Sequence, residues 1–144
     1  MGVERMGKVQ VRARFENIYD VGDREMGELA PEKVRTVEVA DALVDTGAWG
    51  LLLPKRYIEQ LGLRRVYTRQ AKGIGGKATI PMCSPVRLTI QGRDCTMDVG
   101  EIADDMPVRI GQLSVEALDW VVDTKNQRLI GNPEHGGECI MEIY

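Results

Sequence analysis

At 144 residues and 43% hydrophobic content, the chain has the length of one domain, enough to bury roughly 70% of its unfolded surface in a single core without covalent staples. Its net charge of -3, with both signs interspersed, leaves no basic stripe for a phosphate backbone and argues against nucleic acid as a partner. Cys83, Cys95 and Cys139 form neither an even disulfide framework nor a C-x-x-C pair, which speaks against a secreted scaffold and fits a reduced, cytoplasmic location.

Residues 8–19, KVQVRARFENIY, place Val9, Val11, Ala13 and Phe15 on one face at period two, which predicts a half-buried strand. The polar, Gly-containing stretch 20–33 reads as a long hairpin connection, and VRTVEVADALVD (34–45) as a second strand system ending at Asp45. The apolar run 51–53 is far too short to span a bilayer. The opening MGVERM has no apolar signal core and carries Met at position 6, so membrane, secretory and myristoyl targeting are not expected. Pro54 suits the first turn of a helix over PKRYIEQLG, with Ile58 and Leu61 three apart and Gly62 as its stop.

TRQAKGIGGKATIP (68–81) has the composition of a flexible hairpin, with polar arms around Gly73, Gly75 and Gly76. SPVRLTIQGRDCTMDVGEI (84–102) is a clearer one: Val86, Leu88 and Ile90 alternate before a turn at Gln91, Gly92 and Arg93, and Cys95, Met97 and Val99 follow it. About that turn, Cys83 falls nearer Glu101 than Cys95. VRIGQLSVEALDW (108–120) reads as a strand end, a glycine and a short helix carrying Leu113, Ala117 and Leu118. DWVVDTKNQRLIG (119–131) closes as a hairpin around Lys125 and Asn126, and 133–137 is loop. Many short strands with one or two short helices predict a mostly-β barrel or sandwich. Met82, Met97, Met106 and Trp120 read as core or rim.

ADALVDTGAWGLLLP (40–54) puts Asp45, Thr46 and Gly47 straight after an apolar strand, followed by the small Ala48 and a run leading into a helix. Any strand can end in such residues. As a whole, however, the stretch resembles the active-site segment of aspartic proteases, and the chain length points to the retroviral-type (retropepsin-like) group, particularly its bacterial members. Two further segments are similar in order and spacing. Gly73, Ile74, Gly75 and Gly76 begin 28 residues after Asp45, where the family carries its flap, a glycine-tipped hairpin that closes over substrate. Ile110 and Gly111, followed by QLSVEAL, resemble the family's apolar-Gly segment and short helix, and are expected at the cleft wall.

The resemblance implies a closed β-barrel of the acid-protease type, residues 1–144 forming one lobe per chain, that cleaves a peptide or protein substrate without cofactor or metal. Peptide hydrolysis without a nucleophilic side chain needs an activated water, and two carboxylates sharing one proton supply base and acid together. Asp45 is the carboxylate, Gly47 permits close approach of two such turns, and Thr46 and Ala48 support it, the Thr46 hydroxyl bonding across to the opposite loop. The only other Val-Asp-Thr, at 122–124, has Lys125 in place of the turn glycine, so Asp123 reads as a hairpin-turn acid. One motif per chain implies a homodimer with one Asp45 from each subunit.

Trp49 stands where the family has a small or polar residue, so its ring must either pack under the loop or narrow the cleft, and Arg109 replaces an apolar residue. These two departures favour the alternative, a catalytically silent dimeric peptide-binding or assembly module on the same fold. Other chemistries fit less well. Ala71 and Ala78 break a Walker A reading of GIGGKAT, and the Rossmann pattern fails. His135 and Cys139 are four apart, but no second pair at ligand spacing accompanies them. His135, the only histidine, reads as a surface residue.

Overall fold

The computed structural model describes residues 9–73 and 75–144. Among these residues, nine strands and three short α-helices follow in the order β1 (Val9–Asn17), α1 (Ile18–Glu25), β2 (Thr36–Val44), β3 (Leu51–Pro54), α2 (Lys55–Gln60), β4 (Arg65–Gly73), β5 (Gly76–Ile90), β6 (Arg93–Ile102), β7 (Arg109–Ile110), α3 (Gln112–Ala117), β8 (Trp120–Asp123) and β9 (Arg128–Gly131). Six strands close a ring, β1-β2-β7-β3-β6-β5, because β1 pairs back onto β5 through Arg14–Thr89 to Asn17–Val86. Strand β4 hangs on the outer half of β5, and β8 and β9 form a separate two-stranded sheet. The molecule is therefore mostly β, built on a closed six-strand barrel.

The inward faces follow the alternation of the sequence. Val9, Ala13 and Phe15 of β1 are fully buried and Val11 nearly so, and they meet Val37, Val39, Ala42 and Val44 of β2. The pairing skips from Val11–Ala42 to Ala13–Val39, so β2 carries a bulge at exposed Ala40 and Asp41. The extra residue keeps both Val39 and Ala42 turned inward and bends β2 toward its end at Val44. Between β5 and β6 the register partners Ile90 and Arg93 leave a two-residue turn, Gln91 (φ 50°) and Gly92 (φ 85°), the left-handed pair that tight hairpins need. Cys83 pairs with Val99 and Cys95 with Leu88, so these two thiols are far apart in register; all three cysteines are free.

Two expectations need correction. The connection after β1 is not simply a loop: Asn17 caps a helix, its Oδ1 accepting from the amides of Tyr19 (2.9 Å) and Asp20 (3.2 Å). Asp20 then accepts from the Arg35 amide and from its guanidinium at 2.8 and 2.9 Å, which ties the helix to the start of β2. With α2 and α3 this makes three helices rather than one or two. Second, the run 51–54 is itself a strand, β3, lying parallel to β6 and antiparallel to β7. Among the described residues no helix is long and apolar enough to cross a membrane.

Candidate active site

The site is assembled where β2 and β7 run side by side in parallel, Leu43 beside Arg109 and Val44 beside Ile110. At the end of β2 the chain leaves the sheet, but the next amide stays in the ladder: Asp45 N–H donates to the Ile110 carbonyl at 2.9 Å. The loop then turns on itself, with Ala48 N–H donating to the Asp45 carbonyl (3.0 Å) and Gly47 N–H to the Asp45 carboxylate oxygen Oδ1 (3.0 Å). A Cβ on Gly47 would lie 3.2 Å from that same oxygen, so glycine leaves room for the carboxylate in its hydrogen-bonded position.

The far side of the loop is tied to the start of α3. Gln112 N–H donates to the Ala48 carbonyl at 2.9 Å and Leu113 N–H to the Trp49 carbonyl at 3.2 Å. These are first-turn amides that have no partner within their own helix, so the loop caps α3 while α3 fixes the loop. Three backbone hydrogen bonds thus hold residues 45–49 against 110–113. The Asp45 side chain is half-buried, Thr46 and Gly47 are exposed, and Ala48 is half-buried. The loop sits just past the end of β2, with its threonine exposed and its carboxylate half-buried.

Ile110 is wholly buried and backs the loop from the core side rather than lining an open cleft. Gly111 contributes only backbone, in a space no side chain could share. Arg109 is half-buried with its Nε hidden from solvent and unpaired among the described residues. In the sheet it lies in β7 between Leu43 of β2 and Leu52 of β3.

The hairpin of β4 and β5 is paired from Arg65–Cys83 to Gly73–Gly76, and its arms are exposed along most of their length. Gly76 has φ 101°, a conformation reserved in practice for glycine. Ile74 lies outside the described residues. The hairpin meets the Asp45 loop at Trp49, which is 58% exposed and lies under the Arg69 guanidinium, 4.4 Å from ring centroid to Cζ. Trp49 therefore does not pack beneath the loop; it stands at the mouth of a cavity. Behind this contact is a cavity of about 290 Å³ whose floor is Leu51, Met82, Met97 and Leu113 and whose rim includes Tyr67 and Asp98. The Tyr67 hydroxyl donates to Asp98 at 2.9 Å, a second tie between hairpin and barrel. Neither Arg69 nor Asp98 was singled out in the sequence, because only the fold brings 49, 67, 69 and 98 together.

A second cavity, about 410 Å³, opens on the other side of the loop between Thr46, α3 and β8. Asp123 is not part of either. It accepts from the Asn126 side chain (2.9 Å), the Asn126 amide (3.3 Å) and Arg128 (3.3 Å), contacts that hold its carboxyl below the usual range and make it the turn acid of the β8–β9 hairpin.

His135 departs from the surface reading. Its side chain is only 13% exposed, clamped between Asp119 (Nδ1 to Oδ2, 2.6 Å) and Glu142 (Nε2 to Oε1, 2.9 Å). Among the described residues no group of His, Cys, Asp and Glu could hold a metal ion. No family model matches the chain, and no curated protein matches it.

Proposed function

We propose that this chain is one subunit of a homodimeric aspartic endopeptidase with a retropepsin-like barrel, in which Asp45 of each subunit supplies half of a carboxylate dyad. The observation that carries the reading is the loop of residues 45–49, locked by hydrogen bonds to Ile110, Gln112 and Leu113, with Asp45 held by the Gly47 amide and Thr46 facing out. A hydrolytic carboxylate must be positioned on a rigid element and still reach substrate and water, and this loop meets both needs. Asp123, the acid of the other Val-Asp-Thr, is engaged in its own turn.

In the proposed reaction the ionised member of the dyad takes a proton from the attacking water while the protonated member donates to the scissile carbonyl oxygen. Water adds to the carbonyl carbon, and collapse of the tetrahedral adduct passes a proton to the leaving nitrogen as the C–N bond breaks. The β4–β5 hairpin serves as the lid, already in contact with the active-site loop through Arg69 and Trp49. That same contact favours the second reading, a silent module that clasps a peptide in the same cleft without cutting it. Purified protein incubated with an unfolded-protein library, with and without a statine inhibitor, separates the two. Cleavage that statine blocks and Asp45→Asn abolishes supports the peptidase; binding without cleavage supports the clasp.

A further inference from the structure

The interspersion of charge that holds over the whole chain breaks down in the lid. Between residues 60 and 93 there are seven Lys and Arg and no Asp or Glu, in a protein of net charge -3. Three of those cations are used within the body: Arg87 on Glu16, Arg65 on Glu101, and Arg93 on the carbonyls of Leu118 and Asp119. The cations of the lid's outer arms, Arg69, Lys72 and Lys77, have no carboxylate partner among the described residues. Lys72 and Lys77 are also directly opposite one another in the hairpin register. Like charges at facing positions weaken a two-stranded ribbon. An anion lying along the hairpin would relieve that repulsion.

Arg69 is placed to do more than contribute to a field. Tyr67 and Arg69 alternate onto the same face of β4, the face that covers the apolar cavity beside the Asp45 loop. The contact with the Trp49 ring holds the guanidinium at the cavity, and its N–H fork, which matches a carboxylate, has no acid partner among the described residues. Asp98, the one acid of this cavity, is engaged by Tyr67.

We infer that Arg69 is a specificity-determining residue that binds an acidic side chain of an extended peptide in the cleft, with Lys72 and Lys77 drawing acidic segments toward the site. This rests on the reading of the cleft as a peptide site, and it deepens that reading by naming acidic peptides as the class taken.

The test uses two peptides that differ only by Glu or Gln next to the cleaved bond. Cleavage is followed with wild-type protein and binding with Asp45→Asn protein, at about 50 mM and about 500 mM salt, where the screening length shrinks from above to well below 10 Å. The Glu peptide is expected to bind and react about tenfold better at low salt, the worth of one charge-assisted hydrogen bond. The Glu-to-Gln ratio should fall toward one in Arg69→Gln and partly recover in Arg69→Lys, while Lys72→Gln with Lys77→Gln should flatten the salt dependence. Equal treatment of both peptides by wild type, or a ratio unmoved by Arg69→Gln, overturns the inference and leaves the peptidase reading intact. Selective binding of the Glu peptide without any cleavage does the reverse. Failure to bind either peptide, or displacement of the Glu peptide by single-stranded RNA at lower charge concentration, overturns it in favour of another use of the lid.

Discussion

A Cβ placed on Gly111 would lie 2.4 Å from the carbonyl oxygen of Gly50 and 2.8 Å from that of Ala48, so the strand carrying Ile110 and the loop carrying Asp45 touch through bare backbone. Replacing Gly111 by Ala should therefore push the two apart, costing about 1–3 kcal/mol of stability as overpacking and loosening the hydrogen bonds that hold the carboxylate. Gly50→Ala is the control, because a Cβ there meets nothing within 4 Å. Chemical denaturation of both variants should show a loss only for Gly111→Ala.

The seam that closes the barrel is electrostatic as well as hydrogen-bonded. Glu16 and Arg87 are register partners across β1 and β5; the Glu16 side chain is 1% exposed and ion-pairs with Arg87 at 2.6 Å, with Arg24 and Arg14 near its other oxygen. Glu16→Gln removes the charge that three arginines surround and should destabilise by roughly 3 kcal/mol. Arg12→Ala, which ends an exposed 3.9 Å contact with Glu38, should change stability by less than about 0.5 kcal/mol. Equal effects from urea titration would mean that the seam is not held by Glu16.

The C-terminal segment should respond to pH on both sides. Asp119 is held down to about 2, chiefly by the Ile140 amide and then by His135 and Asn132. His135 is raised, first by Glu142 and then by Asp119. The Asp119 contribution is complete above its unfolded value near 4 and fades as pH falls toward 2; that of His135 is complete below about 6.5 and fades as pH rises through its raised folded value. Docking of residues 138–142 should thus be firmest between about pH 4 and 6.5. The Ile140 amide resonance, followed by NMR, should shift with the His135 ring titration, and His135→Phe should remove that upper transition.

Much of this was legible in the sequence, for identifiable reasons. Val9, Val11, Ala13 and Phe15 report a strand because their period matches a single buried face, and Gln91-Gly92 announces its turn through the left-handed φ values it must adopt. The turn at Asp45 was legible because an apolar strand ends there in an acid and a glycine, residue types that favour turns. The helix at Ile18–Glu25 was not, since it is only eight residues long, carries Gly22 in its interior and buries only Asp20 and Val21; Asn17 as its cap was a local sign. Strand β3 and the cavity joining Trp49, Tyr67, Arg69 and Asp98 depend on non-local pairing, which no window of sequence contains. His135 was misread for the same reason, its partners lying 16 positions before it and 7 after.

Asp45→Asn keeps size and should keep the fold, yet it removes the charge on which the proposed water activation depends. Cleavage should fall by at least about 1,000-fold, the scale lost when a central catalytic group is removed. Asp123→Asn should leave cleavage within about twofold while slightly loosening the β8–β9 turn, because its lost contacts are local and solvent-exposed. Rates from a quenched peptide substrate, compared at matched circular dichroism, check both.

The shared dyad itself is tested most directly by diluting and mixing. If each chain brings one Asp45, a monomer has no dyad, and below the dimer dissociation constant the rate should fall with the square of protein concentration. Excess Asp45→Asn chains, allowed to exchange with wild type, should then capture wild-type subunits in pairs carrying a single carboxylate, and activity should drop although the amount of wild-type chain is unchanged. A rate that stays linear in concentration where sedimentation shows only monomer, with no loss on adding the Asn chain, would contradict the shared site.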